Sequence, residues 1–204
     1  MNPQDTSIRL IVGLGNVGAE YERTRHNAGF WFVDAVARKA GANFGGERKF
    51  HGEVARVRDR GRELWLLKPA TYMNRSGQAV VALALYYKIL PTQILVAHDE
   101  VDLMPGVVKL KRGGGTAGHN GLKDTQAKLS TPDFWRLRIG VGHPRTLALN
   151  QDVADFVLHP PGREHEASIA ESIDRALDIV PLLVEGQFER AMMKLHAAPR
   201  TPAP

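Results

Sequence analysis

The sequence predicts an α/β fold: a single domain built on a mixed, mostly parallel sheet with helices on both faces. Three observations predict it. Short apolar runs of strand length alternate with longer segments whose apolar residues recur at helical spacing. The apolar runs stop abruptly in Gly, Asn, His or Asp, as in "IRLIVGLGN" and "ILVAHDE". The chain has 204 residues, 43% of them apolar, enough for one sizeable core without covalent staples.

Each element has its own signal. Ile8–Val12 reads as a buried strand ending in a glycine turn. "AGFWFVDAVARKAG" has helical spacing and closes on Gly41, a helix stop. "HGEVARVR" and "RELWLLKP" read as two strands joined by the turn "DRG". "SGQAVVALALYYKI" reads as a helix capped by Ser76 and ended before Pro91. "ILVAHDE" is a short strand, apolar until it stops in charge, and "GVVKLKR" alternates as another strand. "GHNGLKDTQAKL" reads as a helix after a glycine run, and "FWRLRIGVG" as the last strand. Arg163 to about Leu183 is helical, and so is "GQFERAMMKLHA". Residues 1–7 read as disordered or extended, 8–196 as the folded domain, and 197–204, rich in Pro and Ala, as a frayed tail.

Bulk composition narrows the function. Lys and Arg total 27 against 22 Asp and Glu, giving +5 and a pI near 9.6. That suits a phosphate-rich partner, and equally an ordinary basic protein. With no cysteine, disulfides, thiol nucleophiles and thiolate metal sites are excluded. The N-terminus lacks the apolar core of a signal peptide, and no apolar run approaches about 18 residues. A cytosolic protein without a membrane span is expected.

"VGLGNVG" satisfies Gly-x-Gly-x-x-Gly with Gly13, Gly15 and Gly18, the spelling of a dinucleotide loop. A dinucleotide fold also needs a helix opening inside the loop, so that its amides meet the pyrophosphate. Here "AEYERTRHN" comes next, polar and without helical period. The better reading is a tight turn that displays Asn16 at a cleft rim, with the polar segment bringing Tyr21 and His26 to the same rim.

Asp99 comes after four apolar residues, Ile94–Ala97, that belong in the sheet. Successive strand side chains point to opposite faces, so His98 and Asp99 do not meet. His26 is the candidate partner. A His–Asp pair makes a general base: the imidazole takes a proton and the carboxylate fixes its tautomer. The five serines occupy no nucleophile elbow, so water is the expected nucleophile. A metal at His98, Asp99, Glu100 and Asp102 is the rival use, but strand alternation scatters those four and no H-E-x-x-H spacing occurs. Lys109, Lys111 and Arg112 stand beside three glycines and a helix start. They suit phosphate; the alternative is an edge strand whose lysines deter aggregation. Asn74 and Asn120 can each be read as a turn or cap residue.

Together, "IVGLGNVGAEYERTRHNAGFWFVD", "LLKPATYMNRSG", "ILVAHDEVDLMPGVVKLKRGGGTAGHNGLKD" and "FWRLRIGVGHP" resemble the bacterial peptidyl-tRNA hydrolase family, from about Ile8 to His196. The resemblance implies a monomeric three-layer α/β/α sandwich needing no metal or cofactor. It implies cleavage of the ester joining a peptide to the 3′ ribose of tRNA. His26 is then the general base and Asp99 its orienting acid. Asn16 contacts the peptide; Tyr21, Tyr72, Asn74 and Asn120 are substrate-binding, and Met73 lines the same cleft. The chain departs from the family's habit at Val17, Tyr72 and Met104, where Pro, Phe and Pro are frequent. Two other classes remain: an RNA-binding module without turnover, and a dinucleotide-binding oxidoreductase.

Overall fold

The computed structural model describes residues 7–59 and 61–197. Among these, seven strands form one sheet: β1 (Leu10–Gly13), β2 (Gly45–Glu47), β3 (Gly52–Asp59), β4 (Arg62–Pro69), β5 (Ile94–Glu100), β6 (Val108–Arg112) and β7 (Trp135–Gly140). Their order is β2-β3-β4-β1-β5-β7-β6. The central strands β4, β1, β5 and β7 are mutually parallel, so their carboxyl ends share one side of the molecule. β3 and β6 run against them. The helices are α1 (Ala28–Lys39), α2 (Ser76–Tyr86), α3 (Asn120–Leu129), α4 (Val153–Val157), α5 (Arg163–Leu177), α6 (Val180–Val184) and α7 (Phe188–His196).

Alternation along β1 builds the layers. Ile11 packs into a core with Phe32 of α1, Ile173 of α5, Leu183 of α6 and Leu195 of α7. Its neighbours Leu10 and Val12 face a second core with Val80 and Leu83 of α2 and Leu122 of α3. Each fully buried side chain of this kind contributes roughly 1.5–3 kcal/mol. The mixed sheet with helices on both faces is the architecture that the sequence predicts.

Local differences have physical causes. Ser76 is the first residue of α2, not its cap: its hydroxyl donates to the Met73 carbonyl, and a 3-10 turn at Met73–Arg75 leads into the helix. Asn120 likewise opens α3, while His119 caps it by accepting from the Leu122 amide. The helical stretch Arg163–Leu183 divides into α5 and α6, with Pro181 in the first turn of the second helix. β2, two glycines and a glutamate, carries no apolar side chain, and α4, at five residues, is too short for a helical period to show in the sequence. Residues 1–6 and 198–204 of the expected terminal segments lie outside the described residues, and Ser7 is buried.

Two glycines let α1 approach the sheet closely. A Cβ on Gly13 would lie 2.3 Å from the Gly29 carbonyl oxygen, and one on Gly29 2.3 Å from that of Ala97. The start of α1 therefore rests directly on β1 and β5. A Cβ on Gly15 would strike the Phe30 ring at 2.6 Å. Gly13 and Gly15 of the fingerprint serve close packing, Gly18 takes a positive φ of 125°, and α1 opens only at Ala28, so no helix amides point into the loop.

Candidate active site

The carboxyl ends of β1 and β5, the turn before α1 and the start of α3 meet around one buried carboxylate. β5 delivers Asp99, 4% exposed. A 3-10 turn, Arg25–Asn27, delivers His26 from the opposite side. His26 Nδ1 lies 2.9 Å from Asp99 Oδ1, the pair that strand alternation and the loop argument anticipate. His119 Nε2 reaches the same oxygen at 2.9 Å. An ionised carboxylate only accepts, so both rings donate to it. His26 is left with a free lone pair on Nε2, and His119 Nδ1 accepts from the Leu122 amide. His98 points elsewhere: its Nδ1 donates to the Asp99 backbone carbonyl at 2.6 Å, and its ring meets His119 edge-on.

Electrostatics obeys the same geometry. Burial pulls His26 down, but the charge and hydrogen bond of Asp99 outweigh it, so the imidazole is raised above the ordinary 6.5. Burial pushes Asp99 up, yet the two facing imidazoles hold it well below the usual carboxylate range. His98 is lowered to about 3, first by complete burial and then by the neighbouring His119. It stays neutral.

Asn16 is held from three sides. Asn27, itself buried, accepts from the Asn16 backbone amide at 2.8 Å and donates to its carbonyl at 2.9 Å. The Asn16 side-chain oxygen accepts from the Met73 amide at 3.1 Å. Its NH₂ group therefore remains for a carbonyl in the cleft. That cleft has a volume of about 780 Å³. Asn16, Tyr21, His26, Tyr72, Met73, Asn74, Asp99 and Asn120 all line it, together with His119 and residues of α4. One wall is amide- and imidazole-rich; the α4 wall, with Val153, Ala154, Val157 and Leu158, is mostly apolar.

A smaller cavity of about 230 Å³ adjoins the cleft, sharing His98 and Glu100 with it and holding Lys111, Arg136 and Arg138. Lys109 and Lys111 share an exposed face of β6, as alternation predicts, across the ladder from Arg138 and Arg136. The structure separates Arg112 from them: its guanidinium binds Asp133 in a two-point pair at 2.6 and 2.8 Å. Arg138 donates to Glu100 at 2.9 Å, and Arg136 to the carbonyls of Gly114 and Gly115.

His26, Asp99 and His119 bring donor atoms within 4.8 Å of one another and form the one metal-capable group found among the described residues. His26 Nδ1 and His119 Nε2 each stand at hydrogen-bond distance, 2.9 Å, from Asp99 Oδ1. The acidic set considered from sequence, His98 to Asp102, forms no such group. His119, Asn27, Arg136 and Arg138 are the residues that sequence alone did not single out. For His119 the available signal was a histidine just before a helix start; for the arginines it was their alternation in "WRLRIG".

A family model described as peptidyl-tRNA hydrolase matches residues 10–203. A peptidyl-tRNA hydrolase of Bordetella avium is 62% identical over 191 residues, covering 94% of this chain and 92% of that one. A crystal structure of peptidyl-tRNA hydrolase from Acinetobacter baumannii superposes with a TM-score of 0.88 at 49% identity, over 93% of this chain and 95% of that one. A peptidyl-tRNA hydrolase crystallised with N-propanol gives a TM-score of 0.90 at 47% identity, over 97% and 98%.

Proposed function

Because the chain belongs to the peptidyl-tRNA hydrolase family, we propose that His26 and Asp99 carry its hydrolysis of the peptidyl-tRNA ester. The observation that carries this reading is the 2.9 Å bond from His26 Nδ1 to Asp99, which leaves the Nε2 lone pair free. Nε2 takes a proton from water as the oxygen attacks the ester carbonyl. Asp99 stabilises the resulting imidazolium. The imidazolium then returns the proton to the 3′ ribose oxygen as the tetrahedral intermediate collapses. Free tRNA and a peptide acid leave, and tRNA becomes available again for translation. Asn74 and Asn120 line the cleft, and in this reading their side-chain amides meet the developing oxyanion or the attacking water. The Asn16 NH₂ meets a peptide carbonyl, a contact that favours blocked over free aminoacyl groups. Tyr21, Tyr72 and Met73 form the rest of the substrate wall.

The basic face beside the cleft takes tRNA phosphates, with Lys109 and Lys111 in the lead. Residues 8–196 act as one domain, a monomer working in the cytoplasm. No helix among the described residues is long and apolar enough to cross a membrane.

Turnover of labelled N-acetyl-aminoacyl-tRNA tests the assignment. His26→Ala should remain folded, bind tRNA and lose about 100- to 10,000-fold in kcat. Wild-type protein that binds tRNA without releasing the peptide would establish the RNA-binding alternative. Full turnover by folded His26→Ala would remove the histidine from the mechanism.

A further inference from the structure

Arg25 is 6% exposed, and among the described residues no carboxylate pairs with it. Its Nη1 instead donates to two backbone carbonyls, Phe156 at 3.1 Å and His159 at 2.9 Å. Its backbone amide also donates to the His159 carbonyl, at 3.3 Å. The guanidinium carbon lies 3.8 Å from the centre of the Phe156 ring. All of these contacts fall on the last turn of α4 and the residues just after it. Phe156 is fully buried yet belongs to neither of the two large cores. The anchorage of α4 to the body thus runs in large part through one arginine.

That arginine is the chain neighbour of His26. On its far side, α4 presents Val153, Ala154, Val157 and Leu158 to the cleft. We infer that Arg25 is a positioning residue that fixes the apolar α4 wall at a set distance from the general base and so holds the bound ester in place. Nη1 donates to both carbonyls while the guanidinium plane stacks on the Phe156 ring, which fixes distance and angle together; an ammonium can donate to the carbonyls but has no plane to stack. The His26 ring has its own anchor in Asp99, so the wall depends on Arg25 more than the base does.

This inference rests on the cleft being the substrate site, and the experiment separates the two. Arg25→Lys and Phe156→Leu should each raise KM for N-acetyl-aminoacyl-tRNA about tenfold, the equivalent of losing one desolvated guanidinium–ring stack. kcat and the acid limb of the pH profile should stay close to wild type. The double variant should be no worse than the worse single one, because both disrupt the same contact. Amide exchange across 153–159 should quicken in both singles, while β5 stays protected. A purely structural arginine would lower the folded fraction and apparent kcat with KM intact. That pattern, additive losses, or unchanged exchange in α4 would each overturn the proposal. Should Arg25→Lys fail to fold, Phe156→Leu, which keeps the arginine, decides by the same readouts. If instead His26→Ala keeps full turnover, the reading of the cleft fails, whatever Arg25 does.

Discussion

Asp99 holds two histidines on one oxygen, His26 through one proton and His119 through another. Asp99→Asn is nearly isosteric but removes the charge that outweighs burial at His26. The imidazole should then titrate below its wild-type value. Activity requires the neutral ring, so kcat/KM of the wild type should rise with pH through a value above 6.5. In Asp99→Asn that limb should move to lower pH while the plateau kcat falls steeply, because an amide can also present its NH₂ to Nδ1 and hold the wrong tautomer. A pH–rate profile of both proteins checks this, and an acid limb at the same place in each would detach Asp99 from the base. Residue by residue, the sequence exposed what strand alternation controls: Asp99 at a strand end, and the need for a partner from another segment. It hid His119, because a histidine before a helix looks like a cap, and its second role depends on a carboxylate 20 residues away.

At the level of elements, β6 is an edge strand whose exposed face carries Lys109 and Lys111 beside the arginines of β7. If these lysines meet phosphates, Lys109→Ala/Lys111→Ala should flatten the salt dependence of tRNA affinity by about one to two units and raise KM for peptidyl-tRNA. Cleavage of a minimal peptidyl-nucleotide ester should hardly change. Arg112→Ala should do far less to either, since its charge is spent on Asp133 in a largely exposed pair worth about 0–1 kcal/mol. Salt titrations on both substrates check the division, and equal losses on the two would place the lysines in the chemistry or the fold. Period and alternation revealed every long element here, because the long helices and β6 bury one face while the central strands, buried on both, read as short apolar runs. They passed over β2, two glycines and a glutamate with no buried face, and α4, whose anchor is an arginine distant in sequence. They also grouped Arg112 with the lysines, since nothing local announces that Asp133 will take it.

For the whole molecule, His98 makes stability depend on acid. It is neutral in the folded protein down to about pH 3, whereas in the unfolded chain it binds a proton below 6.5. Between those values the unfolded state carries the extra proton, so stability should fall as pH drops, with a slope of up to about 1.4 kcal/mol per pH unit. His26 has the opposite sense in a different window: its contribution is complete below 6.5 and is lost as pH rises through its raised folded value. Asp99 contributes above its unfolded value and loses that contribution only in stronger acid. Denaturant midpoints from pH 6.5 to 4 should therefore decline in the wild type and decline less steeply in His98→Gln; parallel curves would assign the acid sensitivity elsewhere. The sheet order has a further implication, for the chain in the course of its synthesis. β1 is made first, yet it lies in the middle of the sheet, and both of its ladders are with strands made later, β4 and β5. No native pairing is open to it until Arg62–Pro69 exists, and its second edge stays bare until Ile94–Glu100 emerges. The strand that ends in the Asn16 loop thus waits unpaired for about a third of the polypeptide to be made, and with one edge bare for nearly half. When β5 finally closes the gap it brings Asp99 with it, so the central sheet and the acid partner of His26 arrive in a single step.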